Sequence, residues 1–152
     1  MIRTDKRLRT AKLLLVLDLA FIWGNSMLPG ELSGALSDWV KDLILSLLPI
    51  QAGVGVGGGL FRKLAHFTEF ALLGACLAWL HGMVNKKAVC ALAWGAAAAC
   101  MDETNQRFVP DRGPSLKDVG IDTCGVVTGI LLLHLGHRIM KKQKSTTGGN
   151  EI

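Results

Sequence analysis

The chain has 152 residues and a mass of 16.3 kDa, a length typical of one domain. Half of its residues are hydrophobic, only 19% are charged, and its mean hydropathy is +0.37. Because a soluble domain carries about 25% charged residues, this composition excludes a disordered chain and indicates a small polytopic membrane protein. The net charge of +5 is not clustered on one soluble face, so we expect no nucleic-acid partner.

The cysteines do not suggest a disulfide scaffold. All four lie in apolar stretches and none forms a CxxC pair: Cys76, Cys90, Cys100 and Cys124. We predict that they are small buried residues in helices.

The first apolar run, residues 13–28, follows a stretch rich in lysine and arginine. A cleavable signal peptide begins in the same way, but no clear small-x-small cleavage site follows this run. We therefore predict an uncleaved first transmembrane helix that ends near Asn25 and Ser26, before Pro29.

Three further runs predict three more transmembrane helices, at residues 64–80, 88–101 and 119–135. The runs at 64–80 and 119–135 have about 17 residues, the lower limit for crossing the hydrocarbon. The run at 88–101 has 14 residues and crosses only if its helix continues through a polar segment to about Val109, before Pro110. That polar end must then face protein or water and not lipid.

The distribution of lysine and arginine predicts the orientation. One side of the predicted bundle, which holds both termini, carries 11 of these residues, and the other side carries six. The excess places both termini in the cytoplasm. Residues 29–61 and 110–117 are then the two outer segments. We predict one membrane domain over residues 1–140 and a disordered cytoplasmic tail over residues 141–152.

The first outer segment contains a second kind of helix. Residues 31–48 place apolar side chains at helical spacing with polar ones between them, which predicts a short amphipathic helix on the membrane surface with Trp39 at headgroup level. The glycine-rich run at residues 53–59 predicts a flexible linker. It lacks the Lys-Ser/Thr of a phosphate-binding loop and any strand before it, so a nucleotide site is not expected.

Ionisable side chains inside membrane helices are costly and are candidates for function. The polar residues that share helix faces form three groups: His66 with Glu69, Asp102 and Glu103 with Gln106, and Asp118 with Asp122. Because successive spans alternate in direction, all three groups lie at the outer side, together with basic residues. The predicted ligand-binding set is Lys63, His66, Glu69, Asp102, Glu103, Gln106, Arg112, Asp118 and Asp122. Arg107 lies in the same layer.

The last span also carries a packing motif. Gly125 and Gly129 form a G-x-x-x-G pattern on the same helix face as Asp122. Small residues at this spacing allow close approach of a neighbouring helix, so this face, with its carboxylate, is expected to point into the bundle.

Three interpretations of the outer polar residues stay open. A buried ion-pair network would lock the helices together, for example through Arg112 with Asp118 or Lys63 with Glu103. A binding site would take a polar headgroup, a sugar or a peptide, and we favour it. A catalytic or metal site is the third interpretation, because histidine with carboxylates suits a divalent cation or acid–base chemistry. Without HExxH or a similar signature we predict no cofactor and commit to no catalytic residue.

Three further polar residues lie away from this layer. By residue count Asp18 and His134 reach a similar depth near the cytoplasmic side, which allows a buried pair, although Asp18 could instead reach the interface or a backbone group. His81 stands next to a loop and is expected at the interface.

Two segments resemble the VanZ-like family of small bacterial membrane proteins. They are RKLAHFTEFALLG at residues 62–74 and DETNQRFVPDRGPSLKDV at residues 102–119, continuing to Gly129. The family pattern is K-x-x-H-x-x-E-[FY]-x-x-L-[GA], followed later by D-E-x-x-Q-x-F-x-P-x-R-x-x-x-x-x-D-x-x-x-N-x-x-G-x-x-x-G. Family members usually have asparagine where this chain has Asp122, which adds a carboxylate here.

The resemblance implies a multi-pass protein of the bacterial cytoplasmic membrane, in a family named for resistance to the glycopeptide teicoplanin. We predict a cell-envelope protein that engages a lipid-linked or surface ligand, such as a lipid-linked peptidoglycan precursor or a glycopeptide. The alternatives are a membrane enzyme that acts on a lipid or glycan headgroup through His66 and Glu69, and a structural or partner-binding bundle. The residues that match the family motif are His66, Glu69, Asp102, Glu103, Gln106, Arg112 and Asp118.

Overall fold

The computed structural model describes residues 2–47, 58–84 and 87–147. These residues form five α-helices: α1 (Ile2–Ser26), α2 (Gly30–Leu47), α3 (Gly58–Met83), α4 (Ala88–Gln106) and α5 (Leu116–Thr147). The described part of the chain contains no strand, which confirms the predicted all-α class.

Among the described residues, two helices are long and apolar enough to cross a membrane, over Gly59–Met83 and Leu116–Gln143. The segments Asp5–Ser26 and Gly30–Ile44 meet this criterion together, across a bend of 114°, so that the number of candidate spans is two or three. The chain is thus a membrane protein. α4, with 19 residues and two carboxylates near its end, is not among the candidates.

The packing of α3 against α5 forms the centre of the bundle. A Cβ atom at Gly125 would meet the carbonyl oxygen of Phe67, and one at Gly129 would overlap the carbonyl oxygen of Ala71. Only glycine permits this approach, so the G-x-x-x-G motif faces a neighbouring helix as predicted. The fully buried Phe70 lies in the same contact.

The ends of α4 and α5 differ from the prediction. α4 ends at Gln106 rather than near Val109, because the backbone N–H groups of Phe108 and Val109 donate to oxygens three residues back, as in tight turns. α5 continues to Thr147, so that residues 141–147 are helical where a disordered tail was predicted. This stretch is rich in good helix formers and reaches no glycine before Gly148.

Some predictions fall outside the described residues. α2 begins at Gly30, one residue early, and Leu48, the predicted end of this helix, is not described. Most of the glycine-rich linker is not described either, but Gly58 and Gly59 belong to the first turn of α3.

The four cysteines are free; Cys76 is buried, and the prediction of burial is wrong for the exposed Cys100 and Cys124.

The loop between α4 and α5 folds back onto the start of α2. The backbone N–H of Gly30 donates to the carbonyl oxygen of Pro110 at 3.4 Å, and a Cβ atom at Gly30 would lie 2.9 Å from the carbonyl oxygen of Asp111. Asp111 has a φ of 60°, a left-handed conformation that Asp tolerates better than most residues. This contact holds the loop over the polar end of the bundle.

Candidate functional site

Two hydrogen bonds join the end of α1 to α3 and α4. Asn25 Nδ2 donates to Glu69 Oε1 at 2.8 Å, and Ser26 Oγ donates to Asp102 Oδ2 at 2.7 Å. Of the two α1 residues only Ser26 is fully buried, and it is 0% exposed, as is Asp102. These two residues of α1 were not in the predicted ligand-binding set. A polar pair at the end of an apolar run was the signal that could have placed them there.

The ion pairs at this end of the bundle differ from the Arg112–Asp118 and Lys63–Glu103 pairs that the sequence suggested. Lys63 Nζ lies 3.4 Å from Asp118 Oδ1, which joins α3 to α5. Glu103 Oε2 instead accepts a hydrogen bond from the backbone N–H of Ser115 at 2.7 Å. Neither the Lys63–Glu103 pair nor the Arg112–Asp118 pair forms among the described residues. The partner of Glu103 is thus a backbone N–H in the loop after α4. The spacing of side chains along a helix cannot predict such a backbone donor.

Asp102 is held by one of its two carboxylate oxygens. Oδ2 accepts from Ser26 Oγ and also from Gln106 Nε2, at 3.0 Å, one helical turn away. The residue is 0% exposed, and its Oδ1 has no hydrogen-bond partner among the described residues. The carboxylate is therefore fixed in orientation with one buried oxygen left for a ligand.

His66 and Glu69 share a face of α3, as their three-residue spacing predicts. His66 Nδ1 lies 3.8 Å from Glu69 Oε2, and each side chain is 12% exposed. This distance is too long for a hydrogen bond, and neither atom has a hydrogen-bond partner within residues 2–47, 58–84 and 87–147. The pair is close enough to act on one ligand and leaves both atoms available for it.

Asp122 brings a further carboxylate from α5 to the same place. It is 1% exposed, and its Oδ1 has no hydrogen-bond partner in the part of the chain that the structure describes. One ligand atom from each of His66, Asp102 and Asp122 lies within 4.8 Å of the other two. Such a donor set could hold a divalent cation.

Arg112 reaches the cluster from the loop between α4 and α5. Its Nη1 donates to the carbonyl oxygen of Ser26 at 3.0 Å, while Nε and Nη2 are buried without partners. Burial lowers the pKa of the guanidinium and the charge of Arg62 acts in the same direction, whereas Asp102 raises it. Arginine stays charged at neutral pH, because its ordinary pKa lies far above neutrality. Arg107, predicted in this layer, is exposed and makes none of these contacts.

A groove of about 520 Å³ between α1, α2 and α3 leads to the polar cluster. Its apolar wall includes Phe21, Leu36, Val40, Phe61 and Ala65, and its polar end is formed by Asn25, Arg62, His66 and Glu69. A second cavity, of about 20 Å³, lies among Lys63, Glu103, Gln106, Asp118 and Asp122, and Arg62 and His66 line both cavities. The sequence did not predict the groove, because its shape depends on how α2 folds back.

The remaining polar residues do not form the pair considered from the sequence. Asp18 is buried and its Oδ2 has no partner, whereas His134 Nδ1 lies 2.8 Å from the carbonyl oxygen of Ile130 on its own helix. His81, expected at the interface, is buried, with Nδ1 2.8 Å from the carbonyl oxygen of Leu77. In the described part of the chain Asp18 and His134 therefore do not pair.

The fold and the site define a class: an all-helical membrane protein with a buried polar cluster where the ends of α1, α3, α4 and α5 meet. The family model described as VanZ/LLP1 matches residues 12–137, which is most of the chain. The chain belongs to the VanZ/LLP1 family, and the resemblance seen in the sequence is confirmed. Comparison with curated proteins gives no match, and neither does comparison with solved structures.

Proposed function

We propose that this chain is a four-span protein of the bacterial cytoplasmic membrane, with both termini in the cytoplasm, that binds the headgroup of a lipid-linked ligand at its outer polar cluster. By holding this ligand it reduces susceptibility to teicoplanin-type glycopeptides. The observation that carries the proposal is the groove of about 520 Å³ with apolar walls that ends at Asn25, Arg62, His66 and Glu69.

The chemistry of the groove suits an amphiphile with a long hydrocarbon chain and an anionic headgroup. The apolar walls offer the hydrocarbon chain a place shielded from water. At the polar end, the guanidinium of Arg62 suits phosphate oxygens. The free Oε2 of Glu69 accepts hydrogen bonds from hydroxyl or amino groups. A lipid-linked peptidoglycan precursor combines a polyprenyl chain, a diphosphate and sugar and peptide donors.

A purely structural ion-pair network fits these observations less well. Such a network would pair its buried charges, yet Oδ1 of Asp102 and Oδ1 of Asp122 have no partner in the described part of the chain. An enzyme that acts on the same headgroup is the alternative function, since His66 Nδ1 and Glu69 Oε2 are also free and suit proton transfer.

The position of α2 supports the proposed topology. The 114° bend after α1 sets α2 roughly perpendicular to it, as expected when α1 crosses the bilayer and α2 lies along its surface. Trp39 on α2 is 63% exposed, and aromatic residues of this kind collect at headgroup level. The groove then opens at the outer surface, where glycopeptides meet peptidoglycan precursors.

Filling the groove tests the binding site. Gly24 lines the groove, and a Cβ atom there would meet no atom within 4 Å, so Gly24→Leu should fold and obstruct the hydrocarbon chain. We expect the purified variant to bind a radiolabelled polyprenyl diphosphate about tenfold or more weakly than wild type, in line with the loss of a few buried methylene contacts.

The matched control is Gly34→Leu on α2. A Cβ atom at Gly34 also meets no atom within 4 Å, and Gly34 does not line the groove. It should bind the labelled lipid as wild type does. Equal binding by wild type and Gly24→Leu, or no binding by wild type, would contradict the proposed site.

Labelling of introduced cysteines tests the topology. Gly113, in the loop between α4 and α5, and Lys141, near the end of α5, are both exposed. In a background without the four native cysteines, Gly113→Cys in intact cells should react with a membrane-impermeant thiol reagent and Lys141→Cys should not. Both should react after the cells are lysed. The reverse pattern in intact cells would place the polar cluster on the cytoplasmic side.

A further inference from the structure

We propose that His66, Asp102 and Asp122 bind one divalent transition-metal ion, Zn²⁺ or Mn²⁺, within the polar cluster. The three residues come from α3, α4 and α5, so the ion would tie together three helices. One ligand atom of each lies within 4.8 Å of the other two. This inference stands apart from the proposed function, because metal binding is measured without any lipid or glycopeptide.

The spacing of the three side chains fits an ion between them. No two of them are joined by a hydrogen bond or an ion pair, although all three converge. Zinc binds imidazole nitrogen and carboxylate oxygen at about 2.1 Å, so its ligand atoms lie at most about 4.2 Å apart. Side-chain shifts of less than about 1 Å therefore close the site.

The burial of the two carboxylates calls for a positive partner. Asp102 and Asp122 are 0% and 1% exposed, and Oδ1 of each has no hydrogen-bond partner. No lysine or arginine nitrogen of the described residues lies within 4.0 Å of either carboxylate; Lys63 pairs with Asp118 instead. Leaving two buried carboxylates uncompensated is costly, and a divalent cation removes that cost.

The hydrogen bonds to Asp102 resemble those that orient a metal-ligating carboxylate. Ser26 and Gln106 both donate to its Oδ2, which orients the carboxylate and leaves Oδ1 for an ion. Metal-ligating carboxylates are commonly held by such hydrogen bonds. The cavity of about 20 Å³ beside His66 and Asp122 has room for about one ion or water molecule.

The donor set indicates which metals bind. Magnesium and calcium prefer oxygen ligands, whereas one imidazole nitrogen with two carboxylates suits zinc or manganese. Three protein ligands leave at least one coordination position open. That position would face the small cavity, where a water molecule or an oxygen of a bound headgroup can complete the coordination.

Metal titration of the purified chain tests the proposal. The full chain, with any purification tag removed, is stripped with a chelator and titrated with Zn²⁺ and Mn²⁺ separately by calorimetry in detergent. We expect one equivalent of at least one of these ions to bind. Asp122→Asn and Asp102→Asn keep the side-chain shape but remove a charge, and each should weaken binding by about 100-fold or more.

The matched control is Asp38→Asn, which removes an exposed carboxylate that pairs with Lys41 on α2 and lies outside the set of three. It should bind the metal as wild type does. The proposal is overturned if wild type binds neither ion, if Asp122→Asn binds as tightly as wild type, or if Asp38→Asn loses binding equally.

A measurement on wild type guards against variants that do not fold. X-ray absorption of the zinc-loaded chain should show a coordination shell of nitrogen and oxygen only, with a single imidazole. Sulfur in this shell, or two or more imidazoles, would assign the ion to other residues and overturn the proposal. Loss of glycopeptide protection leaves these results unchanged, so the two proposals fail separately.

Discussion

Gly129→Leu is expected to unfold most of the protein or leave it too unstable to purify. The bare Cβ atom of any other residue at this position would overlap the carbonyl oxygen of Ala71 on α3. Overpacking of an ordinary core site costs about 1–3 kcal/mol, and we expect more than about 3 kcal/mol here because backbone atoms must move apart. The measurement is the temperature of unfolding in detergent, together with the amount of monodisperse protein.

Gly136→Leu is the matched control on the same helix. A Cβ atom at Gly136 meets no atom within 4 Å, so the change should not destabilise the protein and, by replacing a glycine inside a helix, should stabilise it by up to about 1 kcal/mol. If Gly129→Leu instead melts at the wild-type temperature, the contact of α5 with α3 is not as close as the structure describes. The groups that α5 brings to the polar cluster would then be placed incorrectly.

Features that repeat along a single helix could be predicted from the sequence. The three-residue spacing of His66 and Glu69 sets them on one face whatever the helix packs against, and the structure has them 3.8 Å apart. Gly125 and Gly129 likewise determine which face of α5 comes close to another helix. The all-α class follows from the same periodic patterns.

The partners of the polar residues could not be predicted in this way. Spacing along one helix does not determine how each helix is rotated relative to its neighbour. This rotation decides that Lys63 pairs with Asp118 and not with Glu103. Glu103 finds a backbone N–H of Ser115, a donor that every residue except proline carries and that composition cannot reveal. The groove depends on the bend between α1 and α2. Pro29 predicts a break between these helices, but it does not predict the angle of the bend.

Under the two proposals, the groove and the small cavity at the polar cluster have different roles. The groove offers an apolar chain a path to the cluster, while the small cavity has room for only about one ion or water molecule. Because Arg62 and His66 line both, a headgroup at the end of the groove would lie next to an ion held in the small cavity. Changes at His66 should therefore affect both kinds of binding, whereas Gly24→Leu should affect only the lipid.

His66→Asn and Glu69→Gln are expected to remove most of the protection against teicoplanin without lowering the amount of folded protein in the membrane. Glu69→Gln keeps the shape and an oxygen that accepts the hydrogen bond from Asn25 Nδ2, but it loses the charge and the basic Oε2. His66→Asn keeps a polar side chain and loses the imidazole at the junction of the two cavities. If these residues only joined helices, such conservative changes should preserve the phenotype.

The measurement is teicoplanin susceptibility in a sensitive host that expresses wild type or one variant, with the membrane amount of each determined in parallel. The control is Asp38→Asn, which breaks an exposed ion pair with Lys41 on α2, away from the cluster, and should protect as wild type does. Protection by both variants at the wild-type level would show that His66 and Glu69 do not form the functional site. No protection by wild type itself would show that the resistance role does not extend to this chain. Lipid binding by the groove and metal binding by the three ligands would still be decided by their own experiments.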